Sequence, residues 1–356
     1  MTASLVATQP LVVVGGIDAH KDTHQVVVLD RHGVRLGDAV FAASTPGYRR
    51  LHAWLCSFGR VERVGIESTG SYAAGLTRFL VGAGVQVVEV NQPHRHTRAR
   101  RGKSDLIDAE AAARKVLSGE ATVAPKATTG LVESIRLLRA ARESVVKARA
   151  AALTQLQSLL VTAPAELREQ LTGTARAITA AAVKLRPDLG RLDEPTQAAK
   201  LALRSVARRI ATFDDEIADL DVQLAPLVER AAPTLLSRTG IGVNHAAQLL
   251  VTAGQNVDRL TTEAAFARIC GVAPIPVSSG KTHRMRLHRG GDRQANRALH
   301  LIVVCRLRYD PRTRAYMTRR QSEGLSKLDV IRCLKRYVAR EVFNDLKTDL
   351  RRLDDL

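Results

Sequence analysis

Residues 101–110 read Arg101-Gly102-Lys103-Ser104-Asp105-Leu106-Ile107-Asp108-Ala109-Glu110. Ser104 is of the type that caps a helix N-terminus, which predicts a helix beginning at Asp105. Asp105 and Asp108 then stand three apart in its first turn and project from one face. Acids in that position are ordinary, because they offset the helix dipole. Here the surroundings point further. Five basic residues, Arg95, Arg98, Arg100, Arg101 and Lys103, lead into the pair. Two more acids, Asp18 and Glu67, each end an apolar run upstream. Four carboxylates brought together repel one another unless divalent cations lie among them.

Working back from this stretch, residues 11–18 form a β-branched run that predicts a strand buried on both faces. Residues 25–30 and 34–41 predict two further antiparallel strands. Residues 48–58 carry a helical spacing of Leu51, Trp54, Leu55 and Phe58. A strand over 61–67, a helix over 72–81 and a strand over 85–90 follow. A hairpin meander succeeded by alternating units predicts a mixed sheet with helices on both faces. Ligands of such sheets gather at the carboxyl ends of strands, where Asp18 and Glu67 lie. His20 and His24 are four apart, but a strand–turn–strand context keeps them off a shared helix face. A metal role for them is set aside, and His24 is expected to support the acids or touch nucleic acid.

Working forward, residues 119–130 read as a linker. Residues 131–160 and 196–230 predict two long helices, the second broken late at Pro226, which would pair as a coiled-coil arm for spacing and self-association. Gly240-Ile241-Gly242 opening an Ala/Leu-rich helix is the helix-hairpin-helix pattern, whose backbone N–H groups can hold a phosphate. Residues 272–281 predict an extended, proline-fixed segment ending in an exposed Ser278-Ser279-Gly280 turn. From Lys281 to residue 314 there are ten Lys or Arg and two acids. Lys281, Arg284, Arg286, Arg289, Arg293 and Arg297 are the expected contacts to a nucleic-acid backbone. A last helix is predicted after Ser326, with Leu328, Ile331, Leu334, Val338 and Val342 on one face.

The chain has 356 residues, room for two or three domains. Aromatics make up 3%, so the cores are built from Leu, Val, Ile and Ala. A net charge of +19 with a pI near 10.6 selects polyanionic partners, nucleic acid first. Few aromatics argue against reading single-stranded bases by stacking. Cys56, Cys270, Cys305 and Cys333 show no metal-site spacing and fit a reduced cytosol. No apolar run reaches the length of a membrane span, and the N-terminus has no secretory signal pattern, so neither membrane insertion nor secretion is expected.

Asp18, Glu67, Asp105 and Asp108 therefore make an Asp-Glu-Asp-Asp set on a mixed sheet, the arrangement by which ribonuclease H-like nucleases hold two divalent ions around a phosphorus centre. The motifs Gly16-Ile17-Asp18 with Lys21-Asp22-Thr23-His24, Ile66-Glu67-Ser68-Thr69-Gly70, and residues 103–109 resemble those of the transposases of the insertion-sequence one-ten family. So do Gly240-Ile241-Gly242, Gly271-Val272-Ala273-Pro274, Ser279-Gly280 and the basic stretch 291–299. The resemblance covers nearly the whole chain in the right order. It implies a bacterial cytosolic recombinase, nucleoid-associated when active, with three parts. These are a ribonuclease H/resolvase-like α/β domain (1–128), a helical coiled-coil region (129–230), and a mostly helical C-terminal domain (231–356) carrying a nucleophilic serine. It implies Mg²⁺ at the four acids and Ser279 as nucleophile; the sequence itself leaves the adjacent Ser278 as an alternative and offers His283 as a weaker candidate base. The implied partners are donor and target DNA and a structured guide (bridge) RNA; strand exchange between two duplexes requires several active sites, so a dimer or tetramer of the chain is expected. The rival readings are a metal-dependent junction nuclease of the same fold, an actin-like sugar kinase, whose first phosphate loop residues 17–23 loosely resemble, and a non-catalytic RNA-binding protein.

Overall fold

A computed structural model of the chain describes residues 11–90 and 104–354, without the side chains of Thr282, His283, Arg284 and Leu287. The basic stretch containing Arg95, Arg98, Arg100, Arg101 and Lys103 lies outside the described residues. The chain divides into two units, one made of Met1–Gly130 with Ala253–Thr261, the other of Leu131–Thr252 with Thr262–Leu356.

In the first unit the β-branched runs form strands β1 (Val12–Ala19), β2 (Thr23–Asp30), β3 (Arg35–Ala42), β4 (Arg60–Ile66) and β5 (Gln86–Glu89). They lie in the order β3-β2-β1-β4-β5. The β1–β2 and β2–β3 pairs are antiparallel, whereas β1–β4 and β4–β5 are parallel. This is the mixed sheet expected from the hairpin meander. Strand alternation assigns each residue to one of two cores. On one face Val13, Ile17, Val26, Val28, Val64 and Ile66 pack under helices α1 (Thr45–Ser57) and α2 (Ala74–Gly82) through Leu51, Leu55, Leu76 and Leu80. On the other, Val14, Val27, Leu29 and Val88 meet helix α3 (Asp105–Leu117) through Ala109, Ala112, Ala113 and Val116.

Helix α3 packs with its backbone almost on the sheet, and two glycines make this possible. A Cβ at Gly16 would lie 2.1 Å from the Ala109 carbonyl oxygen and 2.3 Å from the Ala113 nitrogen. At Gly65 it would lie 2.8 Å from the Ala112 carbonyl oxygen. Gly16→Ala is therefore expected to cost roughly 1–3 kcal/mol of stability and to lift α3 off the sheet. Thermal or urea unfolding checks this; an unchanged midpoint would contradict the packing.

The expected linker after α3 does not run free. The Glu89 N–H donates to the Val123 carbonyl (2.8 Å), which ties this segment to β5. Segment Ala253–Thr261 returns to this unit from later in the chain. Asn256 bonds to Ala127 and Pro125, and Arg259 pairs with Glu89 at 3.1 Å.

The second unit opens on two long helices, α4 (Gly130–Thr162) and α7 (Pro195–Ala231). They run antiparallel, as the pairs Arg142–Asp221, Arg149–Asp214 and Gln155–Arg209 show. Short helices α5 (Ala165–Gln170) and α6 (Ala175–Val183) join them over a core of Leu156, Leu167, Leu171, Leu203 and Ile210. The break expected at Pro226 does not occur; α7 continues through it to Ala231. Buried Leu224 and Val228 on either side hold the helix against the loss of one backbone bond.

Five helices follow: α8 (Pro233–Leu236), α9 (Val243–Ala253), α10 (Glu263–Ile269), α11 (Arg293–Tyr309) and α12 (Pro311–Ser322). The last helix, α13 (Lys327–Asp354), packs on α8, α10, α11 and α12. Its buried face carries Ile331, Leu334, Val338 and Val342 as expected, but Leu328 is exposed and Val330 takes the inward position. Between α10 and α11 stands a two-stranded antiparallel hairpin, β6 (Pro274–Ser279) and β7 (Thr282–Leu287).

Candidate active site

One tripeptide pattern occurs twice and builds the floor of the site. Gly16-Ile17-Asp18 ends β1 and Gly65-Ile66-Glu67 ends β4, side by side in parallel register with Gly16 opposite Gly65 and Ile17 opposite Ile66. The ladder extends one step further, the Glu67 N–H donating to the Ile17 carbonyl at 3.4 Å. In each copy the isoleucine enters the core under α1 and α2, and the glycine admits the α3 backbone. Alternation then places the acid on the α3 side, at the carboxyl end of its strand.

Helix α3 supplies the other two acids. Ser104 caps it, accepting from the Ile107 N–H at 3.3 Å. Because the helix crosses Gly16 and Gly65, its first turn arrives at the same sheet edge. Asp105 is exposed there, and Asp108 is buried at 5% exposure. Burial pushes the Asp18 carboxyl above its ordinary pKa; the neighbouring carboxylates of Asp108 and Asp105 push it the same way, and His20 opposes them. Asp18 thus feels the charge of both Asp105 and Asp108.

His20, which the sequence reading set aside, sits at the centre of this group. Its Nε2 lies 3.2 Å from an Asp18 oxygen and 3.3 Å from an Asp105 oxygen. The turn between β1 and β2 places it there: it stands two residues beyond Asp18, and its N–H donates to the Thr23 carbonyl at 2.9 Å. That proximity in sequence was the available signal. His24, expected to support the acids or touch nucleic acid, is fully buried on β2 and stacked on Tyr48 at 5.7 Å, so it cannot contact nucleic acid. Ser68, immediately after Glu67, holds a left-handed φ of 58°, a conformation that a non-glycine residue adopts only where the surroundings impose it. Its carbonyl accepts from the Ser71 N–H at 2.9 Å, and this tight turn fixes where β4 ends and where Glu67 stands.

The donor set fits a divalent cation. Ligand atoms of Asp18, His20 and Asp105 all lie within 4.8 Å of one another. Carboxylate oxygens suit hard divalent ions, and one imidazole is compatible with several first-row metals.

The candidate serine belongs to the second unit. Ser279 is the last residue of β6, exposed, with Gly280-Lys281 as the two-residue turn and Thr282 opposite. Gly280 has φ +55°, the conformation needed at the first position of a tight hairpin turn. Ser278, one residue back, faces His283 across the ladder. The side chains of His283 and Arg284 lie outside those described. Lys281, Arg286, Arg289, Arg293 and Arg297 are exposed.

The Gly-Ile-Gly turn divides its two glycines. Gly240, at φ +83°, packs against α11, where a Cβ would meet the Ile302 carbonyl oxygen at 3.2 Å; Gly242 faces open space. Among the described residues no helix is long and apolar enough to cross a membrane.

A five-stranded mixed sheet with acids at the ends of two adjacent parallel strands and at a crossing helix fits the ribonuclease H-like fold of the DEDD transposases. The comparisons with known proteins agree. Residues 15–163 match the DEDD transposase domain of the IS110 type, and residues 232–318 match the domain described as transposase IS116/IS110/IS902 family. The chain belongs to the IS110 family of transposases. It is 33% identical over 141 residues to the insertion element IS110 uncharacterized 43.6 kDa protein of Streptomyces coelicolor, a match covering 39% of this chain and 33% of that one. It is 27% identical over 173 residues to the insertion element IS900 uncharacterized 42 kDa protein of Mycobacterium paratuberculosis, covering 48% of this chain and 43% of the relative. The chain thus matches less than half the length of either relative.

Proposed function

We propose that the chain is a DNA recombinase that moves its own insertion sequence, cutting and rejoining donor and target DNA. The observation that carries this is the meeting of Asp18, Asp105 and Asp108, with His20 among them and Glu67 on the adjacent parallel strand, at one sheet edge of a chain with a net charge of +19. These acids would hold Mg²⁺, which when bound stabilises charge developing on the phosphate oxygens. Ser279, presented at the tip of a hairpin followed by exposed Lys281 and Arg286, is the nucleophile of this reading. Its Oγ forms a bond to phosphorus as the bond to one sugar oxygen breaks. The serine proton is given up, and the departing oxygen takes one. The phosphoserine link keeps the bond energy, so a strand hydroxyl reverses the step and rejoins DNA without a nucleotide cofactor.

A structured RNA encoded beside the element is the proposed guide, pairing with donor and target. Exchange between two duplexes needs several active sites, so the working form is a dimer or tetramer, with the long α4–α7 pair available for self-association. The reaction takes place where DNA is, in the bacterial cytosol. The test is reconstitution from purified protein, donor and target DNA, and the transcript flanking the gene. Joined product that requires the transcript is expected. Joining without it would remove the guide, and absence of any cleavage would remove the recombinase.

The basic stretch ahead of α3 is proposed to hold backbone phosphates. Replacing Arg98, Arg100 and Arg101 together by alanine is expected to weaken duplex binding and flatten its salt dependence, by roughly 0.9 in log–log slope per lost contact. Binding measured across a salt series decides it; an unchanged slope would place these arginines away from DNA.

A further inference from the structure

The second unit contains a cavity of about 460 Å³ with a cationic lining. Arg293, Asn296, Arg297 and His300 recur at helical spacing along α11 and face it together. Lys335 of α13 and His288, from the loop after β7, complete it. The walls are fixed by backbone packing. A Cβ at Gly291 would lie 2.3 Å from the Gly271 nitrogen, so the loop presses directly on the end of α10. The Asn296 side chain donates to the Gly271 carbonyl at 2.7 Å, and the Asp292 N–H donates to the Ile269 carbonyl at 2.7 Å.

Lys335 is 7% exposed, and its ammonium donates to the Asn296 amide oxygen at 2.9 Å. Among the described residues no carboxylate pairs with it, whereas its helix neighbours Arg336 and Arg340 are both tied to Glu263. Arg293 and Arg297 also lack a carboxylate partner among the described residues. Asp292, the nearest acid in sequence, is already engaged. It accepts from the Gln294 and Ala295 N–H groups at the start of α11 and from the Gln248 and Thr252 side chains. The Nδ1 of His288 is buried without a hydrogen-bond partner. A buried ammonium is costly unless an anion meets it. Burial, with Arg332 adding to it, holds Lys335 below its ordinary pKa.

We propose that this cavity seats one phosphate of a nucleic-acid backbone, with the Lys335 ammonium as its floor and Arg293 and Arg297 at its mouth. The lining has no Phe, Tyr or Trp, and the Asn296 amide is held at both ends, so the walls offer a base no large aromatic face and no free amide to read its edge. A compact ammonium on a long stem is a phosphate binder that acts as a point charge. The assignment rests on the nucleic-acid reading of the chain, but it makes its own prediction with inorganic phosphate.

The test compares full-length wild type with Lys335→Met and, as a control for charge, Lys327→Met at an exposed position on the same helix. Inorganic phosphate, against chloride at equal ionic strength, is expected to raise the melting temperature of wild type and of Lys327→Met but not of Lys335→Met. Without phosphate, Lys335→Met is expected to melt no lower than wild type, because a buried unpaired charge has been removed. Affinity for a labelled duplex or for a structured RNA of matched length should fall about tenfold in Lys335→Met. The salt slope for duplex should fall by about 0.9. Loss with only one of the two nucleic acids would identify which one the cavity holds. No specific phosphate effect on wild type overturns the assignment, as does a Lys335→Met protein that melts lower while keeping the wild-type slope. Either result leaves the recombinase reading standing, since strand joining tests that separately.

Discussion

Asp18→Asn is expected to abolish strand cleavage while leaving nucleic-acid binding and the fold in place. The substitution keeps the shape of the side chain and removes its charge from the centre of the acid group, where Asp18 meets His20 and feels Asp105 and Asp108. Charge stabilisation by a bound cation is worth several kcal/mol, so the loss should be roughly a thousandfold or more. The fold should not suffer. Burial and the neighbouring carboxylates hold Asp18 above its ordinary pKa. The stability this group contributes is therefore present below its unfolded pKa and lost as pH rises through the raised folded value. At neutral pH without divalent cation, the asparagine variant should melt no lower than wild type. Cleavage of labelled DNA, run beside a melting curve, reads both. A folded Asp18→Asn protein with wild-type cleavage would sink the assignment of the acids.

The second large effect concerns Ser279. Ser279→Ala is expected to bind RNA and DNA as wild type does and to form no covalent protein–DNA adduct. The hairpin fixes Ser279 as the last strand residue before a Gly280-Lys281 turn, exposed on a short ribbon. Ser278 has the opposite facing, as neighbours on a strand must. A denaturing gel of protein with labelled DNA, guide and Mg²⁺ separates the two. An adduct that persists in Ser279→Ala and vanishes in Ser278→Ala would move the chemistry one residue back. No adduct with wild type, even on substrates built to trap one, would favour a junction nuclease in which Ser279 only completes a turn.

Much of the first unit was legible because its signals are local. Ser104 caps α3 by the hydrogen bond its residue type predicts, and the β-branched runs are the strands of a mixed sheet. The repeated Gly-Ile-acid tripeptide was visible as letters. Its meaning needed the register that lays Gly16 beside Gly65, which no local pattern specifies. His20 was missed because the turn between β1 and β2, not a helix face, sets its direction. Pro226, lacking an N–H, predicts a late break within the long helix, and packing of Leu224 and Val228 outweighs that local rule. The return of residues 253–261 to the first unit rests on Asn256 and Arg259 reaching back to residues 89–127, contacts without periodicity. The second strand of the Ser279 hairpin is hidden for another reason: its basic side chains read as a surface for a nucleic-acid backbone and carry no strand alternation, whereas backbone pairing makes it a strand.

Uptake of Mn²⁺ as a spectroscopic substitute for Mg²⁺ tests most directly whether the acids form one cation site. Free Mn²⁺ is followed by electron paramagnetic resonance as protein is added, with no nucleic acid present. Wild type is expected to take up the ion. Asp18→Asn and Asp105→Asn should each lose that uptake, and Glu67→Gln and Asp108→Asn should weaken it, all at unchanged melting temperature. Uptake that is undiminished in folded Asp18→Asn and Asp105→Asn proteins would contradict the account, because the ion would then be held by other residues.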